Sequence, residues 1–271
     1  MAPPTLLAVH AHPDDEALFT GGVLARYAAQ GVTTVLVTCT DGALGEAPGT
    51  PGPLEAGHRP GEVAARRRAE LEASCAVLGI GHLEVLGYHD SGMAGWPQND
   101  APDAFCRAPV DAVAARVAEL LWHYRPQVVV TDDARGLYGH PDHIQAHRVT
   151  VAAVERTAST EKLYFIALPK SALAGFVELA QADGLELPDW VEGDPPFGTD
   201  DELVGTYVDC TPVVGAKYAA LAAHASQGDN AFFLDMGAEL FGAIFAIEAF
   251  VRAKDSTGAP LPEDDLFAGL R

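Results

Sequence analysis

Short apolar runs rich in β-branched residues recur through the first two thirds of the chain, at residues 5–9, 33–38, 82–86, 127–131 and 162–168. Each is short enough to be a buried strand. Between them the apolar positions fall at helical spacing, over 13–30, 61–78, 110–124 and 141–157. Strand and helix in alternation predict an α/β fold, a Rossmann-like, mostly parallel sheet flanked by helices. Ligands of such sheets sit beyond the carboxyl ends of the strands.

Two long connections rich in Gly and Pro interrupt the alternation, 42–60 after the second strand and 91–109 after the third. Loops of that length in a compact domain are commonly functional, and their place favours rims or lids of a site. The acidic, proline-broken stretch 183–202 divides the chain into a catalytic domain, 1–182, and a smaller C-terminal α/β lobe, 183–271, that completes the cleft. The lobe is expected to hold one strand near 204–208 and helices over 212–226 and 238–252. The pair Phe232-Phe233 and the stripe Leu240, Ile244 and Ile247 read as buried helix faces, and Trp122 as core. Trp96 and Trp190 suit either a cleft wall or loop packing.

Composition narrows the classes. With 48% hydrophobic residues in 271, a sizeable core is available. No stretch approaches the roughly 20 apolar residues of a membrane span. The apolar start Leu6-Leu7-Ala8-Val9 has no basic flank or cleavage site before it, so the expected location is cytoplasmic. A formal net charge of −21 argues against nucleic acid and anionic membrane as partners, and Arg66-Arg67-Arg68 is too short to reverse that. Cys39, Cys75, Cys106 and Cys210 are scattered without a CxxC pair, which excludes a cysteine zinc knuckle and a disulfide framework. No Gly-rich phosphate fingerprint follows the first strand.

Chemistry concentrates in two related strings. His12-Pro13-Asp14-Asp15 and His140-Pro141-Asp142-His143 each stand at a strand-to-helix junction. Pro13 suits a first helical position, with His12 at the cap. The acids Asp14, Asp15 and Glu16 would complement the helix dipole in any case, but His12 is a poor cap and can converge with Asp15 on one point. A catalytic zinc uses three protein ligands from His nitrogen and carboxylate oxygen. His12, Asp15 and one histidine of the second string make such a set. A second arrangement uses His143 and His147 on one helical face, weakened because the residues between them, Ile144-Gln145-Ala146, lack the glutamate of zincin helices.

These strings resemble those of the PIG-L/LmbE-like N-deacetylases, and the resemblance runs over nearly the whole chain. Arg67-Arg68-Ala69-Glu70, Asp90-Ser91-Gly92-Met93 and His224-Ala225-Ser226-Gln227 resemble further family motifs. The narrower match is to the mycothiol-pathway branch, which acts on N-acetylglucosaminyl-inositol. The resemblance implies a zinc-dependent hydrolase of the acetamide of an amino sugar, a small-molecule substrate, and a chain compatible with a homo-oligomer. It implies that His12, Asp15 and His143 ligate the metal and that Asp14 is the general base. His140 would stabilise the oxyanion and protonate the amine, Tyr138 would assist, and Asp142 would fix an imidazole tautomer. Arg67 and Asp90 would bind substrate hydroxyls. The same donor set accepts Fe2+ or another divalent transition metal.

Two departures matter. Thr40-Asp41-Gly42 is followed by Ala43 where relatives carry an acid, leaving Glu46 as the nearest one. Ala17-Leu18-Phe19-Thr20 lacks the lysine associated with mycothiol S-conjugate amidases, which favours a deacetylase over an amidase or deacylase of another metabolite. A non-catalytic binding protein of the same fold is disfavoured because His12, Asp14, Asp15, His140 and His143 are all present. His224 suits either a place near the cleft or a structural hydrogen bond.

Overall fold

A computed structural model describes residues 3–182, 184, 185, 187 and 197–270. Trp190 and most of 183–202 lie outside the described residues. The strands are β1 (Thr5–His10), β2 (Thr33–Thr40), β3 (His82–Tyr88), β4 (Val128–Thr131), β5 (Lys162–Ala167), β6 (Thr206–Asp209) and β7 (Ile247–Asp255). The helices are α1 (Asp15–Phe19), α2 (Gly21–Ala29), α3 (Pro60–Leu78), α4 (Val110–Tyr124), α5 (Pro141–Thr157), α6 (Lys170–Ala182), α7 (Val214–Ala223), α8 (Gly228–Asp235) and α9 (Gly237–Phe245).

All seven strands form one sheet in the order β3-β2-β1-β4-β5-β7-β6. The neighbours from β3 to β5 are parallel, and β7 runs antiparallel to both β5 and β6. The chain lays β2 and β3 on one side of β1 and then returns to place β4 on the other. That reversal opens a crevice at the carboxyl ends of β1 and β4.

Alternation along the strands decides which helices cover which face. Leu6, Ala8, Leu36, Val128 and Val130 pack with Val23, Leu24 and Tyr27 of α2 and Leu71 and Cys75 of α3. The intervening Leu7, Val9, Val35, Val37 and Val129 pack with Val113, Val117 and Leu121 of α4 and Val149 and Ala153 of α5. Burying each such aliphatic side chain stabilises the fold by about 1.5–3 kcal/mol. A third cluster, with Ala17, Ala25, Leu78, Phe176, Leu221, Phe233 and Phe241, seats the C-terminal helices against α1, α2 and α3. Among the described residues, no helix is long and apolar enough to cross a membrane.

Three expectations are corrected. The helix expected over 238–252 ends at Phe245, and the chain continues as strand β7. Its apolar residues also suit a strand, and pairing with β5 and β6 satisfies the backbone on both sides. Ile247 is accordingly half exposed, not part of a buried stripe. Trp122 is 56% exposed, whereas its neighbour Leu121 takes the core position of α4. The single helix expected over 13–30 is two helices, broken at Thr20, where φ is −136°. The cause lies in β7: the Glu248 carboxylate accepts from Gly22 N (2.7 Å) and Val23 N (2.9 Å) and so caps the second helix. Gly22 admits this approach, since a Cβ there would lie 2.8 Å from Glu248 Oε1.

Candidate active site and metal centre

Four segments converge where β1 and β4 end. Residues 11–16 follow β1, Asp90 and Ser91 follow β3, Asp132 follows β4, and residues 138–143 lead into α5. The second string folds as its sequence predicts, with His140 as N-cap and Pro141 in the first turn. The first does not. Its helix starts at Asp15, with Asp14 at the cap, because the Asp15 carboxylate turns back to accept His12 N–H (2.7 Å). Asp14 has φ 109°, a left-handed conformation that costs a non-glycine residue about 1–3 kcal/mol.

The two oxygens of Asp15 face different imidazoles. His12 Nδ1 lies 3.7 Å from Oδ2, and His143 Nε2 lies 3.5 Å from Oδ1. The far nitrogen of each ring meets another carboxylate. His12 Nε2 is 3.2 Å from Asp142 Oδ2, and His143 Nδ1 is 3.2 Å from Asp132 Oδ1. In the neutral form of each ring, the nitrogen at 3.2 Å from its carboxylate is the one that carries the proton, and the other nitrogen, His12 Nδ1 or His143 Nε2, is the one left for a metal. Asp142 is fixed in turn by Ser91, whose N–H (2.8 Å) and hydroxyl both donate to it.

Single donor atoms from His12, His140 and His143 lie within 4.8 Å of one another, and so do those of His12, Asp90 and Asp142. The set expected from the sequence, His12, Asp15 and His143, is not one of these groups among the described residues, and each group contains a donor already engaged within the protein. Asp142 is occupied by Ser91 and by His12. His140 Nδ1 accepts the Asp142 N–H (3.1 Å), so a neutral His140 bears its proton on Nε2 and is a donor there. His147 is turned elsewhere, with Nδ1 2.9 Å from the Asp132 carbonyl.

The charges explain the titration of the cluster. Asp14, Asp15, Asp90, Asp132 and Asp142 gather around three imidazoles and the Arg67 guanidinium. Burial opposes an imidazolium at His12, yet Asp90, Asp142 and Asp15 outweigh it and hold its pKa well above 6.5. At His143 burial is likewise overcome, by Asp15 and Asp132, and its pKa is raised. His140 goes the other way: burial, then the charges of His12 and His143, push it well below 6.5. Burial raises the Asp14 carboxyl above 3.8 despite Arg67, whereas for Asp15 the nearby His143 and His12 overcome burial and lower it. Burial and the Asp15 and Asp14 charges push the Tyr138 phenol up, so its hydroxyl, 3.4 Å from His143 Nε2, stays protonated. Such an excess of buried carboxylate around imidazole is a donor set that a divalent cation fits.

Arg67 is buried and ties the site together. It donates to Pro13 O (2.6 Å) and Gly42 O (2.9 Å) and pairs with Asp14 Oδ2 at 3.1 Å. Asp90 lies 3.6 Å from His12 Nε2 and accepts from Leu44 N and Gly92 N. Glu46 holds the rim of loop 42–60 by a two-way contact, its N–H and C=O pairing with the Gln227 amide and its carboxylate accepting Gly228 N. His224 is fully buried, and its Nε2 lies 2.7 Å from Glu16 Oε1. Trp96 packs over Gly92.

Sequence reasoning missed Asp132 and the interior role of Glu16. Asp132 was within reach: an acid directly after a parallel strand lies at the crevice by construction. Glu16 had no such signal, because its partners Ser74 and His224 come from distant segments.

A family model described as PIG-L, GlcNAc-PI de-N-acetylase, matches residues 7–154, the stretch that contains both strings. The chain is 42% identical over 283 residues to the 1D-myo-inositol 2-acetamido-2-deoxy-alpha-D-glucopyranoside deacetylase of Acidothermus cellulolyticus, covering 98% of this chain and 95% of that one. Against the deacetylase of the same description from Salinispora arenicola it is 42% identical over 280 residues, covering 98% and 91%. Among solved structures, N,N'-diacetylchitobiose deacetylase from Pyrococcus horikoshii superposes with a TM-score of 0.59 at 21% identity, over 92% of this chain and 83% of that one. At that identity the likeness shows the fold alone.

Proposed function

The chain belongs to the PIG-L family of GlcNAc-PI de-N-acetylases, hydrolases of amide bonds, and from that premise we propose that it removes the acetyl group of N-acetylglucosaminyl-inositol. His12, Asp15 and His143 would hold zinc, or another divalent transition metal that the same donors accept. Two imidazole nitrogens facing the two oxygens of one carboxylate, each ring backed by a further carboxylate, carry this reading. The metal, when bound, supplies Lewis acidity that polarises the amide carbonyl and acidifies water.

The chain's own residues do the rest. Asp14, its carboxyl raised by burial, takes the proton of the attacking water. Arg67, paired with that carboxylate, keeps it oriented and keeps enough of it ionised. His140, held neutral with its proton on Nε2, donates a hydrogen bond to the oxygen on which charge develops and then to the departing amine nitrogen, while the proton that Asp14 took from water passes to that amine. The Tyr138 hydroxyl offers a second donor beside it. Asp142 and Asp132 keep the His12 and His143 rings in one tautomer. Asp90, its acceptor oxygens ionised at neutral pH, and Arg67 supply contacts for sugar or cyclitol hydroxyls.

Product analysis by mass spectrometry tests the substrate. Zinc-loaded protein incubated with N-acetylglucosaminyl-inositol should yield acetate and glucosaminyl-inositol in equal amounts, and a bulkier mycothiol S-conjugate amide should react more slowly. Preference for the bulkier amide would replace the deacetylase reading with that of a conjugate amidase.

A further inference from the structure

Asp14, read above as the proton acceptor, sits in a backbone conformation that aspartate rarely adopts, and the peptide groups around it are gripped from two sides. Arg67 Nη2 donates to Pro13 O at 2.6 Å on one side. On the other, Glu16 Oε2 accepts the Asp14 N–H at 3.0 Å. The second oxygen of Glu16 accepts from Ser74 Oγ (2.5 Å) on α3 and meets His224 Nε2 (2.7 Å) just beyond α7. Glu16, Ser74 and His224 are all fully buried. Both oxygens of Glu16 are therefore engaged, and the residue is neither a metal donor nor exposed to substrate.

We propose that Glu16 is a positioning residue for Asp14: aimed by Ser74 and His224, its carboxylate holds the Asp14 amide in the positive-φ turn that sets the Asp14 carboxylate beside Arg67. The inference rests on the reading of Asp14 as base. The physical reason is the cost of an unpaired buried N–H. Remove the acceptor, and the strained peptide relaxes towards negative φ, carrying the Asp14 side chain out of line. A misplacement of that order costs about 100-fold in rate without altering how substrate binds. His224 lies 208 positions from Glu16, so the C-terminal segment would set the geometry of a group on the first motif.

Glu16→Ala and Glu16→Gln separate this role from mere packing. The alanine variant should lose about 100-fold in kcat with KM within about twofold and with zinc content unchanged. The glutamine variant keeps an oxygen acceptor for the Asp14 N–H and should recover to within about fivefold of the parent. A crystal structure of Glu16→Ala should show Asp14 at negative φ. Should that variant not fold, His224→Ala leaves Glu16 in place but unaimed, and a fall of about tenfold in kcat at constant KM is expected. The proposal is overturned if kcat of the alanine variant (or, failing that, of His224→Ala) stays within about twofold of the parent. It is also overturned if the glutamine variant is as impaired as the alanine one, if zinc is lost, or if Asp14 keeps its positive φ. An Asp14→Ala control separates the two layers: full turnover in that control would remove the base, while the backbone change at Asp14 would still report on Glu16.

Discussion

Asp132 Oδ1 lies 3.2 Å from Nδ1 of His143, and Asp142 stands in the same relation to Nε2 of His12. Each of the two candidate histidine ligands is thus backed by a further carboxylate. Asp132 Oδ2 has no hydrogen-bond partner among the described residues, so the His143 contact is the one that holds this side chain. Partners of this kind fix ring orientation and raise ligand basicity. Asp132→Asn should weaken zinc binding by about 10–100-fold in a competition titration with a chelator. Unchanged affinity would mean that the ring is fixed by packing alone.

Asp14→Ala removes the proposed base without touching Asp15, His12 or His143. Acetate release should fall by about 100- to 10,000-fold, while metal content measured by plasma mass spectrometry stays that of the parent. Turnover at the parental rate would assign the proton to another group.

The Glu16–His224 pair makes stability depend on pH in two windows. The pKa of His224 is raised, since Glu16 outweighs burial, so its contribution is complete below 6.5 and is lost as pH rises through the folded-state value. The pKa of Glu16 is lowered, because His224 and Ser74 outweigh burial, so its contribution is complete above 4.5 and is lost as pH falls below that. The Tm gap between the parent and His224→Gln should be widest between 4.5 and 6.5 and should narrow on the alkaline side. A gap that widens with rising pH would contradict the ion pair.

Leu121 and Trp122 are adjacent on α4 and should respond in opposite ways. Leu121 is fully buried, and Leu121→Ala should cost about 2–5 kcal/mol in denaturant unfolding. Trp122→Ala should change stability by about 0.5 kcal/mol or less, since that ring is more than half exposed. A large loss at Trp122 would signal a partner surface over it.

The parallel half of the sheet was legible because β-branched runs and helical spacing point to one fold, and β1 to β5 lie within a few residues of their expected places. The two His-Pro-Asp strings were legible because imidazole and carboxylate together at two strand-to-helix junctions have few structural uses. What escaped depended on partners remote in sequence. The run through Ile247 and Phe250 fits a helix as well as a strand until β5 and β6 are there to pair with it. The break at Thr20 comes from Glu248, more than 220 residues away. Even the first helix began late, because the Asp15 carboxylate bends back on His12 N–H.

Acetate released from N-acetylglucosaminyl-inositol, followed before and after metal is stripped with a chelator and then restored, tests the central claim most directly. Deacetylation should stop on stripping and return with added zinc, in proportion to the metal bound. Undiminished release from the metal-free protein, or none from the zinc-loaded one, would contradict the account.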